Sequence, residues 1–226
     1  MEQSKIKFIE FMMESGVLIF GDFTTKSGRK TPYFVNTGNY RTGKQLYKLG
    51  EFYAECVYKE IGAGSFDIMF GPAYKGIPLA TVTASSFFRL YGEDKAVCFN
   101  RKEFKDHGES GILIGQKPVD GDRVVIIEDV ITAGTAVRET MPILKAAADV
   151  IVKDMFISVD RCEVGQNELT AKAEILADFG ISVHSIVNVA DVAEYIEWKE
   201  GTTGSELIPA DTKVRMREYM GMYCKF

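Results

Sequence analysis

From Phe66 to Val189 the chain alternates short apolar runs with stretches of helical periodicity, and few folds accept that order. The pattern predicts strands over Phe66–Phe70, Ala96–Phe99, Arg123–Ile127, Val150–Val159 and Val183–Val189. It predicts helices over Gly76–Leu90, Ala136–Ala148 and Glu168–Phe179, and closing helices over Asp191–Lys199 and Thr212–Tyr219. Strands separated by helices cannot be joined by tight hairpins. They need crossovers, which lay the strands parallel and cover both faces of the sheet. The expectation is an α/β fold with a Rossmann-like, mostly parallel central sheet flanked by helices.

Ahead of this alternation, Ile6, Ile9 and Met13 fall at helical spacing within Ser4–Met13. A short apolar run, Val17–Phe20, and a Gly/Thr/Lys-rich stretch, Gly21–Gly38, follow as short strands and turns. Gln45–Ile61 is a helix by its stripe of Leu46, Leu49, Phe52, Tyr53, Cys56 and Val57. No Pro/Gly/Ser-rich linker divides the 226 residues, which argues for one domain over 1–226, with residues 1–40 as a small hood. Asn100–Asp122 breaks the pattern. It is highly charged and weakly periodic, and is expected to be a mobile lid loop or a hairpin arm.

Composition removes several classes. With 46% hydrophobic and 26% charged residues the chain can bury a core, so disorder and disulfide scaffolds are excluded. The net charge of −5 is the wrong sign for a protein that coats nucleic acid. Four widely spaced cysteines (Cys56, Cys98, Cys162, Cys224) and two histidines argue against a structural zinc site, and Cys56 and Cys98 read as core residues. Met1–Ser15 has no signal-peptide core, and no apolar run reaches membrane-span length. The expectation is a soluble cytoplasmic protein with neither nucleic-acid nor membrane partners.

Val124–Ala136 is the most informative stretch. Four β-branched residues lead to two acids, Glu128 and Asp129, and a Thr132-Ala133-Gly134-Thr135 turn opens the next helix. In an open α/β sheet, ligands bind beyond the carboxyl ends of the strands. A helix N-terminus there suits a phosphate, glycine permits close approach, and the threonines add hydroxyl donors. The acids would repel that phosphate but accept hydrogen bonds from sugar hydroxyls. Together they suit a ribose 5-phosphate. A plainer reading makes Thr132 an N-cap and the acids first-turn charges, but leaves the full turn unexplained. Neither a Walker A loop nor a G-x-G-x-x-G fingerprint is present.

Glu128–Ala136 resembles the phosphoribosyl-diphosphate (PRPP) motif of type I phosphoribosyltransferases, with Glu128 in place of the commoner Asp. Three further segments extend the resemblance. T-x-K-S-G-R-x-x-P-Y-F from Thr24, G-P-A-Y-K-G from Gly71 and R-K-E-x-K-D-H-G-E from Arg101 are similar, in this order, to signatures of the orotate phosphoribosyltransferase family. Asp160-Arg161 matches a further arginine of that family, and Val35 follows Phe34 where relatives often carry a second aromatic.

The resemblance implies a type I phosphoribosyltransferase fold and transfer of phosphoribosyl from PRPP to orotate. It implies Mg²⁺ as cofactor, held mainly through PRPP and water, and a homodimer with shared sites. Lys75, Lys105, His107 and Asp129 would be catalytic. Lys26, Tyr74, Lys75, Arg101, Lys102, Lys105, His107 and residues Glu128, Asp129, Val130, Ile131, Thr132, Ala133, Gly134, Thr135 and Ala136 would bind PRPP. Lys26, Phe34, Val35, Thr132 and Arg161 would bind orotate. The rivals are an enzyme of this fold acting on a purine or uracil, and a non-catalytic nucleotide-binding regulator. Lys26 and Arg161 favour a carboxylated base over a neutral one.

Overall fold

A computed structural model describes residues 1–25, 28–105, 111–131, 134–165 and 168–226. In chain order the elements are α1 (Gln3–Glu14), β1 (Leu18–Thr24), β2 (Lys30–Val35), α2 (Gly43–Ile61), β3 (Ile68–Gly71), α3 (Gly76–Tyr91), β4 (Ala96–Lys105) and β5 (Gly111–Gly115). There follow β6 (Arg123–Ile127), α4 (Thr135–Ala147), β7 (Ile151–Asp160), α5 (Ala171–Phe179), β8 (Ser182–Asn188), α6 (Val189–Thr203) and α7 (Ala210–Tyr223).

The chain divides into two compact units. One comprises Met1–Thr42, Val159–Thr170 and Val187–Phe226. Its β1 and β2 pair antiparallel, and α1, α6 and α7 supply apolar residues such as Phe8, Ile9, Val192, Tyr195 and Met216. An Asn188/Asp191 capping box starts α6, and Asp191 also takes Lys5 Nζ at 2.8 Å.

The other unit comprises Gly43–Ser158 and Ala171–Ile186. It carries most of a six-stranded sheet, ordered β5-β4-β3-β6-β7-β8. β3 pairs parallel with β4 and with β6, β6 pairs parallel with β7, and β5 runs antiparallel to β4. The alternation read in the sequence is therefore present as a mostly parallel sheet with helical crossovers. Ile68, Phe70, Val124, Ile126, Met155 and Ile157 are buried on its strands, with Val137, Leu144 and Ile175 packed from α4 and α5. Arg123 fixes one end of the β3–β6 pair. Its Nε and Nη2 donate to the two Asp67 carboxylate oxygens at 2.9 and 2.6 Å, and hold that carboxyl down at about 2.

Two expectations are corrected. β4 does not stop at Phe99 but runs to Lys105, because it gains an antiparallel partner in β5. The charged segment after Asn100 thus takes the hairpin-arm form at 100–105 and 111–115, while residues 106–110 lie outside the described set. Cys56 is partly exposed, whereas Cys98 is fully buried.

Gly76 opens α3 under tight constraint. A Cβ there would lie 2.6 Å from Pro72 Cδ and 2.9 Å from the Ile127 carbonyl oxygen. Gly76→Ala is expected to cost about 1–3 kcal/mol through overpacking, read as a lower midpoint in calorimetric unfolding. An unchanged midpoint would mean that this turn yields freely.

Candidate active site

Parallel pairing brings three strand ends to one edge of the sheet. Phe70 is in register with Cys98 on β4 and with Ile126 on β6. The turns that follow are therefore neighbours: Gly71–Gly76 after β3, Asn100 onward on β4, and Glu128–Gly134 after β6. The Asn100 side chain joins two of them. It is largely buried and its Oδ1 accepts the Ala73 N–H at 3.0 Å. The peptide bond between Ala73 and Tyr74 is cis. Lys75 reaches across to the third turn, with its Nζ 2.7 Å from Asp129 Oδ2.

The two acids after β6 are buried and differently supported. Asp129 Oδ1 accepts the Val130 N–H at 2.8 Å. Its carbonyl oxygen accepts the Ser158 N–H and hydroxyl at 2.9 and 2.6 Å. Glu128 Oε1 accepts the Asp129 N–H at 2.9 Å, and the Glu128 carbonyl oxygen accepts the Tyr53 hydroxyl at 2.6 Å. Tyr53 and Ser158 thus frame the acids, and Asn100 holds the turn after β3. Sequence reasoning missed all three, since each reads as an ordinary element residue. Burial pushes the Glu128 carboxyl up to about 8, and the charge on Asp129 adds to the rise. The Asp129 N–H and Lys75 act against it.

Gly134, in the left-handed region at φ 66°, is the N-cap of α4 and supplies no side-chain cap. Thr132, the N-cap of the plainer reading, lies outside the described residues. Val130 and Ile131 lead toward this cap, and Thr135 and Ala136 form the first turn of α4, whose N–H groups present the positive end of the helix dipole. Tyr74 is exposed, and Lys102 Nζ lies 5.4 Å from its ring centroid. Arg101 is part-exposed on β4. Lys75, Asp129, Glu128 and Asn100 therefore come together at one edge, with Tyr74 and Lys102 on the adjoining turn and strand.

Other predicted residues belong to the first unit. Phe34 on β2 stacks on Phe23, centroids 5.5 Å apart, and stays 38% exposed, a flat face open to solvent. Val35 pairs with Leu18 in the β1–β2 ladder. Arg161 lies just beyond β7, with Nη2 2.5 Å from Glu163 Oε1 and its guanidinium 5.4 Å from the Tyr33 ring centroid. Lys26, His107, Thr132 and Ala133 lie outside the described residues, and Lys105 is described only as the last residue of β4.

Comparison with known proteins gives consistent answers. The phosphoribosyl transferase domain model matches residues 36–153. The orotate phosphoribosyltransferase of Clostridium acetobutylicum is 54% identical over 223 residues, covering 99% of each chain. That of Clostridium beijerinckii is 56% identical over 223 residues, again 99% of each. The crystal structure of orotate phosphoribosyltransferase from Francisella tularensis superposes with a TM-score of 0.83 at 34% identity, covering 97% of this chain and 100% of that one.

The raised Glu128 carboxyl has a signed consequence for the unliganded protein. Between its ordinary value of 4.5 and about 8, the folded state holds more protons than the unfolded state. This contribution to stability is full below 4.5 and is lost as the pH rises through 8. Glu128→Gln mimics the protonated form, so its melting temperature relative to wild type is expected to rise from pH 5 to pH 9. A difference that is flat with pH would refute the shift.

Proposed function

The chain belongs to the orotate phosphoribosyltransferase family and transfers phosphoribosyl from PRPP to orotate, giving orotidine 5′-monophosphate and diphosphate in pyrimidine biosynthesis; we propose how its residues serve that reaction. The observation that carries the reading is identity above 50% along essentially the whole of both chains.

In the reaction the bond from C1′ to the diphosphate oxygen breaks, a bond from C1′ to the orotate ring nitrogen forms, and that nitrogen gives up its proton to water. Negative charge grows on the leaving oxygens and positive charge on the ribose ring. Catalysis is then mostly positioning and electrostatic stabilisation. We assign Lys75, Arg101, Lys102, Lys105 and His107 to the diphosphate, with Lys26 and Tyr74 beside them. Glu128 and Asp129 take the ribose hydroxyls. Val130, Ile131, Thr132, Ala133, Gly134, Thr135 and Ala136 cradle the 5′-phosphate. The glycine N-cap of α4, which has no side chain to occupy the first-turn N–H groups, supports the last assignment, and the Lys75–Asp129 pair supports the first. Lys26, Phe34, Val35, Thr132 and Arg161 receive orotate, whose flat ring suits the exposed Phe34 face and whose carboxylate suits a guanidinium.

Mg²⁺ belongs to the same proposal. Among the described residues no three His, Cys, Asp or Glu side chains are grouped to hold a metal. The donor set at this edge is two carboxyls, one favouring its proton and one paired with Lys75, which falls short of six oxygen ligands. It fits an ion that arrives on the diphosphate with its waters, beside ribose hydroxyls ordered by Glu128 and Asp129. Bound there, Mg²⁺ neutralises charge on the diphosphate oxygens.

We also propose a homodimer in which Arg101, Lys102, Lys105 and His107 are divided between the two subunits' sites. Tyr47, Tyr58 and Phe88 are exposed on α2 and α3, an apolar face suited to subunit contact. A cytoplasmic location is supported by the free thiols of all four cysteines, and no helix among the described residues is long and apolar enough to cross a membrane.

The direct test follows loss of orotate absorbance on mixing protein, Mg²⁺, PRPP and orotate; consumption of uracil or a purine instead would overturn the substrate assignment. Lys105→Ala is expected to lower kcat about 10²-fold or more while leaving the unfolding midpoint in place. Unchanged turnover would remove Lys105 from the diphosphate. Mixed dimers of Lys105→Ala with Asp129→Asn are expected to recover part of the activity that each homodimer lacks. No recovery in a confirmed mixed dimer would refute shared sites.

A further inference from the structure

The geometry points to Glu163 as the positioning residue for Arg161, fixing its guanidinium for the orotate carboxylate. The inference rests on the assignment of Arg161 to orotate made above. β7 ends at Asp160, whose Oδ1 accepts the Cys162 N–H at 2.8 Å. Cys162 adopts φ +54°, in the left-handed region, so the chain turns sharply between Arg161 and Glu163. That turn brings residues two apart side to side, with Arg161 Nη2 donating to Glu163 Oε1 at 2.5 Å. The same oxygen accepts the Tyr219 hydroxyl from α7 at 2.7 Å. The C-terminal segment holds the turn from outside. Glu163 forms a bridge with Cys224, Lys225 N–H donates to the Cys162 carbonyl at 2.9 Å, and Val164 N–H donates to the Tyr223 carbonyl at 2.8 Å.

The guanidinium is therefore gripped on one edge by Glu163 and lies against the Tyr33 ring, with only 17% of its side chain exposed. Arg161 Nε and the Tyr33 hydroxyl are both buried in this cluster, and neither makes a hydrogen bond of good geometry. A guanidinium carries five donors in a planar fork, so an acid on one edge leaves donors for a second planar carboxylate. By charge alone Glu163 would hinder an anionic substrate. By geometry it helps, because a long side chain ordered before binding loses little further freedom when the ligand arrives. The two effects have opposite signs, so the direction of the change on removal decides between them.

Glu163→Ala is expected to raise the KM for orotate about tenfold, with the KM for PRPP and kcat within about twofold. Glu163→Gln keeps an acceptor for both Arg161 and Tyr219, and is expected to restore most of the orotate KM. If Glu163 acts through Arg161, adding Glu163→Ala to Arg161→Ala costs no more than Arg161→Ala alone. A lower orotate KM in Glu163→Ala, an equal rise in both KM values, failure of the Gln variant to restore it, or additive losses would each overturn the inference. The Gln variant and the double mutant keep the test open should Glu163→Ala fold poorly. Failure of the underlying reading is distinct: there, wild-type protein consumes no orotate, or Arg161→Ala leaves its KM unchanged.

Discussion

Strand β3 pairs in parallel with both β4 and β6, and the chemistry at the sheet edge depends on that double pairing. Parallel neighbours end at the same edge, so the residues after each strand become neighbours in space although β3 and β6 are far apart in sequence. This is why Asn100 can hold Ala73 and why Lys75 can reach Asp129. It is also why Gly76 has no room for a side chain, since the Ile127 carbonyl at the end of β6 already fills that place. At the opposite end of the same pair the Arg123–Asp67 fork fixes the register. A one-residue slip would send every inward residue of β6 to the other face and break the Lys75–Asp129 contact.

Two adjacent carboxyls buried at 7% exposure each are expensive in themselves. The fold offsets the two differently. Asp129 is tied on several sides by the Val130 N–H and Lys75 at its carboxylate and by Ser158 at its carbonyl. Glu128 has one backbone donor at its carboxyl and favours a proton. The rise at Glu128 thus comes from its surroundings rather than from residue type, while Asp129 is held by donors on several sides.

The alternation of strands and helices was legible because its signals are local: β-branched runs, apolar stripes and turn residues. The acids of Glu128-Asp129 and the turn beyond them were legible for the same reason. The extension of β4 to Lys105 was not, because four of the five residues 101–105 are charged and the stretch carries no strand pattern. Pairing with β5 decides their conformation, and pairing is a tertiary fact. Tyr53, Asn100 and Ser158 were invisible for a related reason. Each acts through a bond to a backbone atom or side chain distant in sequence, and no spacing announces such a bond. Arg161 was singled out, while Glu163 two residues on was passed over, since a strand-like i, i+2 relation would put both on one face without joining them. The left-handed Cys162 is what joins them.

A chain of net charge −5 that handles two anionic substrates must keep its useful cations from collapsing onto its many acids. Lys75 and Arg161 show two solutions. Lys75 is paired with Asp129 but its own side chain remains 61% exposed, so the ammonium is solvated and able to turn, while the Asp129 carboxylate, 10% exposed, keeps the Val130 N–H. Arg161 is 17% exposed beside Glu163, where separating the pair would strand a buried charge. On the proposed assignment it would receive orotate without leaving its partner, which a guanidinium can do and an ammonium, lacking a planar fork, does poorly. On the same assignment, lysine at the leaving group and arginine at the base match that difference: one cation needs freedom to follow charge as it moves, and the other needs a fixed plane against a carboxylate that stays where it is.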